Sequence, residues 1–303
     1  MSPNLTKNWG QDVAALISKS GSTKDLLIAN ADMVRRVIGG KGPDKNVADP
    51  ACGARVAVNI AAVHVAAFCR APHNGKNYKN TYDLNETPRL EGAGFKVKVP
   101  VRLVVDQTLC SVTNSQPEEI YFGAVEVNGS GIRFYGDICF ILRVDAMKSD
   151  TVILKSNSYD LVRPPITPAG QAPKPDLLKS HVKTMAGRWD DDTPNMAVLK
   201  VFALLKVSER RLTTGQISGA TLDDEDYLEV LRIGSFDVSN LQEARLSAAD
   251  AAAEAQVGEQ LRLGPCPSLA ELQWRKHRRA AVKALQAQGL RSRVITTSGR
   301  VRA

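Results

Sequence analysis

The chain has 303 residues, of which 43% are hydrophobic and 24% charged, and its formal net charge is +8. That length suits one large domain or two modest ones, and the composition excludes disorder as the dominant state. No window reaches the ~18 apolar residues of a membrane span, and the first ten residues lack the basic and apolar stretches of a signal peptide, so a cytoplasmic protein with no membrane partner is expected, export by a signal-independent route remaining compatible.

Residues 1–92 read as a helical region. Apolar residues recur at helical spacing over 5–18 (Val13, Leu16, Ile17) and 24–38 (Leu27, Ile28, Val34, Val37), with Gly39 and Gly40 as a stop. Residues 47–69 are alanine-rich and apolar on most faces, which predicts a third, buried helix. Residues 73–89 are polar and rich in Asn, Lys and Tyr, and read as a long loop.

Residues 93–163 read as β. Lys96 and Lys98 alternate with Val97, Val99 and Val101, which predicts a strand over 95–105. Asn128-Gly129 stands between apolar runs at 119–127 and 131–143, the pattern of a hairpin tip. Residues 151–155 make a further strand, and the whole region predicts one mainly antiparallel sheet. Pro164, Pro165, Pro168, Pro173 and Pro175 mark a linker over 164–176.

Residues 177–303 return to mixed α and β. The expected elements are an apolar run at 196–207, a strand at 226–233, an alanine-rich helix at 246–261, a helix from a Ser268 cap to about residue 288, and a closing strand at 294–297. The expected fold class is therefore α+β: a helical N-terminal region, a central mainly antiparallel sheet and an α/β C-terminal part.

Several chemistries find no residues to carry them. Five cysteines without a C-x-x-C pair give neither a disulfide framework nor a thiolate zinc site. The histidines His64, His73, His181 and His277 are scattered, so no metal site is expected. Neither a G-x-S-x-G elbow nor a phosphate-binding G-x-x-x-x-G-K-[ST] loop is present.

Two sets of residues remain. The first is basic: Arg275, Lys276, Arg278, Arg279 and Lys283 crowd one helix, a pattern that neutralises phosphates or simply solvates a helix face. With the 76–79 loop they suggest a nucleic-acid-binding protein. The second is the succession Arg133-Phe134-Tyr135, Ser156-Asn157-Ser158-Tyr159 and Tyr227-Leu228-Glu229, each at the end of an expected strand. Their order resembles the ADP-ribosyltransferase fold of bacterial toxins and effectors. The resemblance implies NAD as cofactor and a protein or nucleic-acid acceptor. It gives Arg133 the diphosphate and ribose role, with Arg102 and Arg143 as rivals. Ser156 or Ser158 takes the serine role, and Glu229 the carboxylate that faces positive charge developing at the ribose. Tyr135, Tyr159 or Tyr227 would stack on nicotinamide. The sequence departs from that pattern in having no S-T-S triplet and Tyr227-Leu228-Glu229 where E-x-E or Q-x-E is usual. A structural or assembly protein that pairs through a strand edge is the third class considered.

Overall fold

The computed structural model describes residues 5, 7–42, 52–72, 74–80, 82, 100–222, 227–264 and 266–296. The protein is α+β. Among the described residues the strands are β1 (Arg55–Ile60), β2 (Ile120–Glu126), β3 (Ile138–Leu142), β4 (Val152–Leu154), β5 (Ala186–Arg188), β6 (Glu229–Ile233), β7 (Leu241–Ser247) and β8 (Ser292–Ile295). They form one eight-stranded sheet in the order β5-β4-β6-β2-β1-β3-β7-β8. Every pairing is antiparallel except β7 with β8.

The helices are α1 (Trp9–Ser18), α2 (Lys24–Ile38), α3 (Ala62–Arg70), α4 (Pro100–Thr113), α5 (Pro175–Met185), α6 (Trp189–Leu204), α7 (Thr214–Thr221), α8 (Ala248–Leu263) and α9 (Leu269–Ala287). One face of the sheet packs Val56, Val58, Phe140, Ile153 and Val230 against α1, α2, α3, α6 and α9. The other face, at the β4-β6-β2 end, packs Ile120, Leu154 and Leu231 against α4 and α5. Alternation along each strand divides the side chains between these two cores. Phe68 of α3 meets Phe140 of β3 at 5.0 Å between ring centroids, which fixes α3 on the sheet.

Three expected elements are corrected. The strand expected over 95–105 is helix from Pro100 onward, and 95–99 lie outside the described residues. Val105, Leu109 and Val112 are buried at helical spacing, and Pro100 opens the helix where its missing N–H costs nothing. The third helix expected over 47–69 is split into β1 and α3, with 47–51 outside the described residues. A short apolar run buried on both faces of a sheet has the same pattern as a buried helix. Finally, β2 and β3 are not a hairpin, because β1 lies between them and pairs with both.

The Asn128-Gly129 segment instead wraps around the Glu126 carboxylate. The Glu126 carboxylate accepts the backbone N–H groups of Val127, Gly129 and Gly131 at 2.8, 3.0 and 3.2 Å. Arg245 closes the arrangement by donating to the carbonyls of Val127 and Gly129. Gly131 has φ +68°, and a Cβ there would lie 2.1 Å from the Asn59 side-chain oxygen. Glycine is therefore required for this close, left-handed approach.

The N-terminal helices, β4, the 248–263 helix and the final helix stand close to their expected places. The apolar run at 196–207 belongs to α6, and the 226–233 strand is β6, residue 226 lying outside the described residues. Between 163 and 174 the chain carries no helix or strand before Pro175 opens α5. No helix among the described residues is long and apolar enough to cross a membrane.

Candidate functional site

The final helix α9 begins with a reciprocal cap. Ser268 accepts from the Glu271 N–H, and the Glu271 carboxylate accepts from the Ser268 N–H. From there the helix sorts its basic residues by face. Arg278 points inward and is 1% exposed. Its guanidinium meets Asp137 at 3.0 Å, Glu254 at 3.2 Å and Asp250 at 3.8 Å, and lies 5.0 Å from the Trp274 ring centroid. This corrects its place in the phosphate-binding set, since its charge is satisfied internally.

Lys276, Arg279 and Lys283 take the opposite face and are exposed. Their spacing of three and four residues lines them in one stripe. None of the three is ion-paired among the described residues. Arg279 and Lys283 also line an open groove of about 640 Å³ with Glu254, Ala280, Val282 and Gln286. Arg275 is half-buried and packs over Gly258 of α8.

The end of α9 is tied to the end of α3. Gln288 donates to the Cys69 carbonyl at 3.1 Å. Asn77, from the loop that follows α3, donates to the carbonyls of Phe68 and Ala71 at 3.2 and 3.3 Å. Tyr78 stacks on Phe236 at 4.5 Å between centroids, and the Gly75 N–H donates to Asp237 at 2.6 Å. The 74–80 loop is thus held in place. It brings exposed Lys76 and Lys79, with exposed Arg70, to the same end of α3 that α9 reaches.

The second candidate set is divided. Glu229, the first residue of β6, is 4% exposed and accepts the Ser158 N–H at 2.8 Å. Arg102 of α4 lies near it, paired to Asp106 at 2.7 Å and seated over the rings of Phe122 and Tyr159 at 4.2 and 5.0 Å. Tyr82 donates to Asp106 at 3.0 Å. Burial pushes the Glu229 carboxyl above the ordinary carboxylate range, against the opposing pull of Arg102 and Ser158. Burial lowers the Arg102 pKa, but Asp106 and Glu229 outweigh it and hold it above the ordinary value. Tyr227 is buried, and burial, with Glu229 and the Tyr135 hydroxyl beside it, raises its phenol.

Ser158, Tyr159 and Tyr227 therefore gather around Glu229 and Arg102, with Tyr135 against Tyr227. Ser156 is half-buried, and it is Ser158 that touches the carboxylate. Arg133 goes elsewhere: its guanidinium is bound by Asp250, with Nε donating at 3.1 Å. This places Arg102, not Arg133, beside the glutamate. Arg143 is exposed and paired to Asp145 at 2.6 Å.

Sequence reasoning missed the carboxylates that consume the buried arginines: Asp137, Asp250 and Glu254. They come from distant segments, and only the buried Arg278 side chain gathers them. Among the described residues no group of three His, Cys, Asp or Glu side chains is arranged to hold a metal ion. Comparison with protein-family models, curated proteins and solved structures finds no match.

Proposed function

We propose that the protein binds nucleic acid, phosphates first, through the exposed stripe Lys276, Arg279 and Lys283, extended by Arg70 and Lys76 at the end of α3. The observation that carries this is the joint anchoring of α9 and the 74–80 loop on the last turn of α3. Two basic segments some 200 residues apart in sequence are thereby held against the same helix, α9 along its length and the loop at its last turn. The internal arginines support the same reading. Arg102, Arg133, Arg245 and Arg278 are matched by Asp106, Asp250, Glu243, Asp137 and Glu254, so the net positive charge of the chain resides on other residues. Such a stripe acts by releasing the counterions condensed on the phosphate backbone, a sequence-independent source of affinity. Fluorescence anisotropy with a labelled RNA at low salt tests it. Binding by the wild type and its loss in Lys276→Ala/Arg279→Ala/Lys283→Ala are expected; equal binding by both proteins, or none by the wild type, overturns it.

A second reading is favoured by the Glu229 cluster: NAD-dependent ADP-ribosyl transfer to a protein or nucleic-acid acceptor. Glu229 would stabilise the developing ribosyl cation, Ser158 would position the carboxylate, Arg102 would bind diphosphate, and one of the tyrosines would stack on nicotinamide. Glu229 is buried, so this chemistry requires the groups that cover it to move. A melting temperature unchanged at millimolar NAD contradicts it, because a ligand of the native state must stabilise that state.

A further inference from the structure

A second gathering of arginines lies on the sheet face that carries Ala57, Cys139 and Ile141. Residues paired across a sheet share a face, and Cys139 pairs with Arg245, which pairs with Arg293. Arg55 stands two residues before Ala57 on β1 and so shares it too. A bulge in β7 adds a further polar group. Leu241 and Glu243 oppose the neighbouring residues Leu142 and Ile141, so Gln242 is the extra residue. Leu241 and Ala244 both lie in the main core, which leaves Gln242 and Glu243 together on the opposite face.

These groups hold the guanidinia close to one another. Gln242 accepts from Arg55 Nε at 3.2 Å, which draws the Arg55 side chain across β3 to β7. Glu243 Oε1 accepts from Arg245 Nε at 2.7 Å and from Arg293 Nη1 at 3.3 Å. Arg245 is 3% exposed, while Arg55 and Arg293 are half-buried. Donors are left over. Arg55 Nη2, Arg245 Nη2, and Nε and Nη2 of Arg293 have no acceptor among the described residues. Arg55 has no carboxylate in ion-pair contact among them either. Glu126, its partner across the β1–β2 ladder, turns its carboxylate to the backbone N–H groups of Val127, Gly129 and Gly131. Burial and then the charge of Arg245 lower the Arg55 pKa, against the opposing pull of Glu243. The cluster therefore carries positive charge and N–H donors in excess of what the protein supplies to meet them. Guanidinium forks with free donors match the oxygens of phosphate, which carries about two negative charges at neutral pH.

We infer that Arg55, Arg245 and Arg293 form a binding site for a phosphate dianion, with Gln242 and Glu243 setting the guanidinia in place. The site goes beyond the nucleic-acid reading, since none of its residues belongs to the α9 stripe. Its test is the melting temperature in millimolar inorganic phosphate against sodium chloride of equal ionic strength. The proteins compared are wild type, Arg55→Gln, Arg293→Gln and Lys276→Ala/Arg279→Ala/Lys283→Ala. A rise of about 2 °C or more is expected in the wild type and in the α9 variant, and its loss in Arg55→Gln and Arg293→Gln. No rise in the wild type, an equal rise in all four proteins, or a rise lost with the α9 cations overturns the site. The wild type and the α9 variant decide the matter even if an arginine variant misfolds. RNA with a 5′-phosphate and with a 5′-hydroxyl then separates the sources of the phosphate. Tighter binding of the phosphorylated RNA, lost in Arg293→Gln, assigns the site to a nucleic-acid end, and equal binding assigns it to free phosphate or a small ester. A phosphate-induced rise in a protein that binds neither RNA upholds this site and removes only the nucleic-acid reading.

Discussion

Gln288 donates its side-chain amide to the backbone carbonyl of Cys69 across 219 positions of sequence. That bond sets the end of the basic helix on the end of α3. Gln288→Ala removes a single hydrogen bond, with an expected cost of about 1 kcal/mol in urea unfolding. Because it loosens α9 relative to the 74–80 loop, RNA affinity is expected to fall without any loss of charge. An unchanged affinity would mean that the two basic segments act independently.

The faces of α9 predict opposite outcomes for adjacent arginines. Arg278→Ala leaves Asp137, Asp250 and Glu254 around a vacated buried cation, and an expected loss of about 3–5 kcal/mol follows. Arg279→Ala, exposed and unpaired among the described residues, is expected to change stability by less than about 0.5 kcal/mol while weakening RNA binding. Denaturation and anisotropy on the two variants check the pair. A stable Arg278→Ala protein would contradict the internal role given to that residue.

Glu229 predicts a pH signature. Its folded pKa is raised above the unfolded value by burial, so the folded state holds the proton more tightly. Its contribution to stability is therefore full below the unfolded pKa and declines as pH rises through the folded pKa. In Glu229→Gln that dependence is absent. The stability difference between wild type and variant is expected to shift in favour of Gln as pH rises above about 4.3 and then to level off. Urea unfolding across that window measures it, and a shift in favour of the wild type would contradict the assigned direction.

For ADP-ribosyl transfer, the polar groups beside Glu229 are the residues to vary. Ser158→Ala removes the hydroxyl beside Glu229, and Arg102→Ala removes the cation next to it. If NAD is bound there, Arg102→Ala is expected to abolish a thermal shift that the wild type shows at millimolar NAD, and Arg133→Ala to leave it intact. The reverse pattern would place the cofactor elsewhere.

Much of this was legible in the sequence where local chemistry decides the outcome. The Ser268 cap of α9 and the helical spacing of α1 and α2 act over a few residues, and each stands as expected. Residues 95–105 misled because Val97, Val99 and Val101 alternate with Lys96 and Lys98, whereas from Pro100 the chain is helix with Val105, Leu109 and Val112 buried at helical spacing. The Asn-Gly signal failed because Glu126 captures the loop N–H groups and β1 comes between the strands. Charge was visible on α9, but its sorting into Arg278 inside and Lys276, Arg279 and Lys283 outside depends on distant carboxylates. Likewise Ser158 and Glu229 were named from strand-end order, while Arg102 took the place given to Arg133 because Asp250 holds the latter.

If the exposed cations on α9, unpaired among the described residues, neutralise nucleic-acid phosphates, binding must depend on salt. The salt dependence of RNA affinity is therefore the most direct measurement. For the wild type, log K is expected to fall linearly with log salt. Lys276→Ala/Arg279→Ala/Lys283→Ala is expected to flatten that slope by about 2, roughly 0.7 for each phosphate of a single strand that is no longer neutralised. A wild-type affinity independent of salt, or an identical slope in the variant, would contradict phosphate neutralisation by α9.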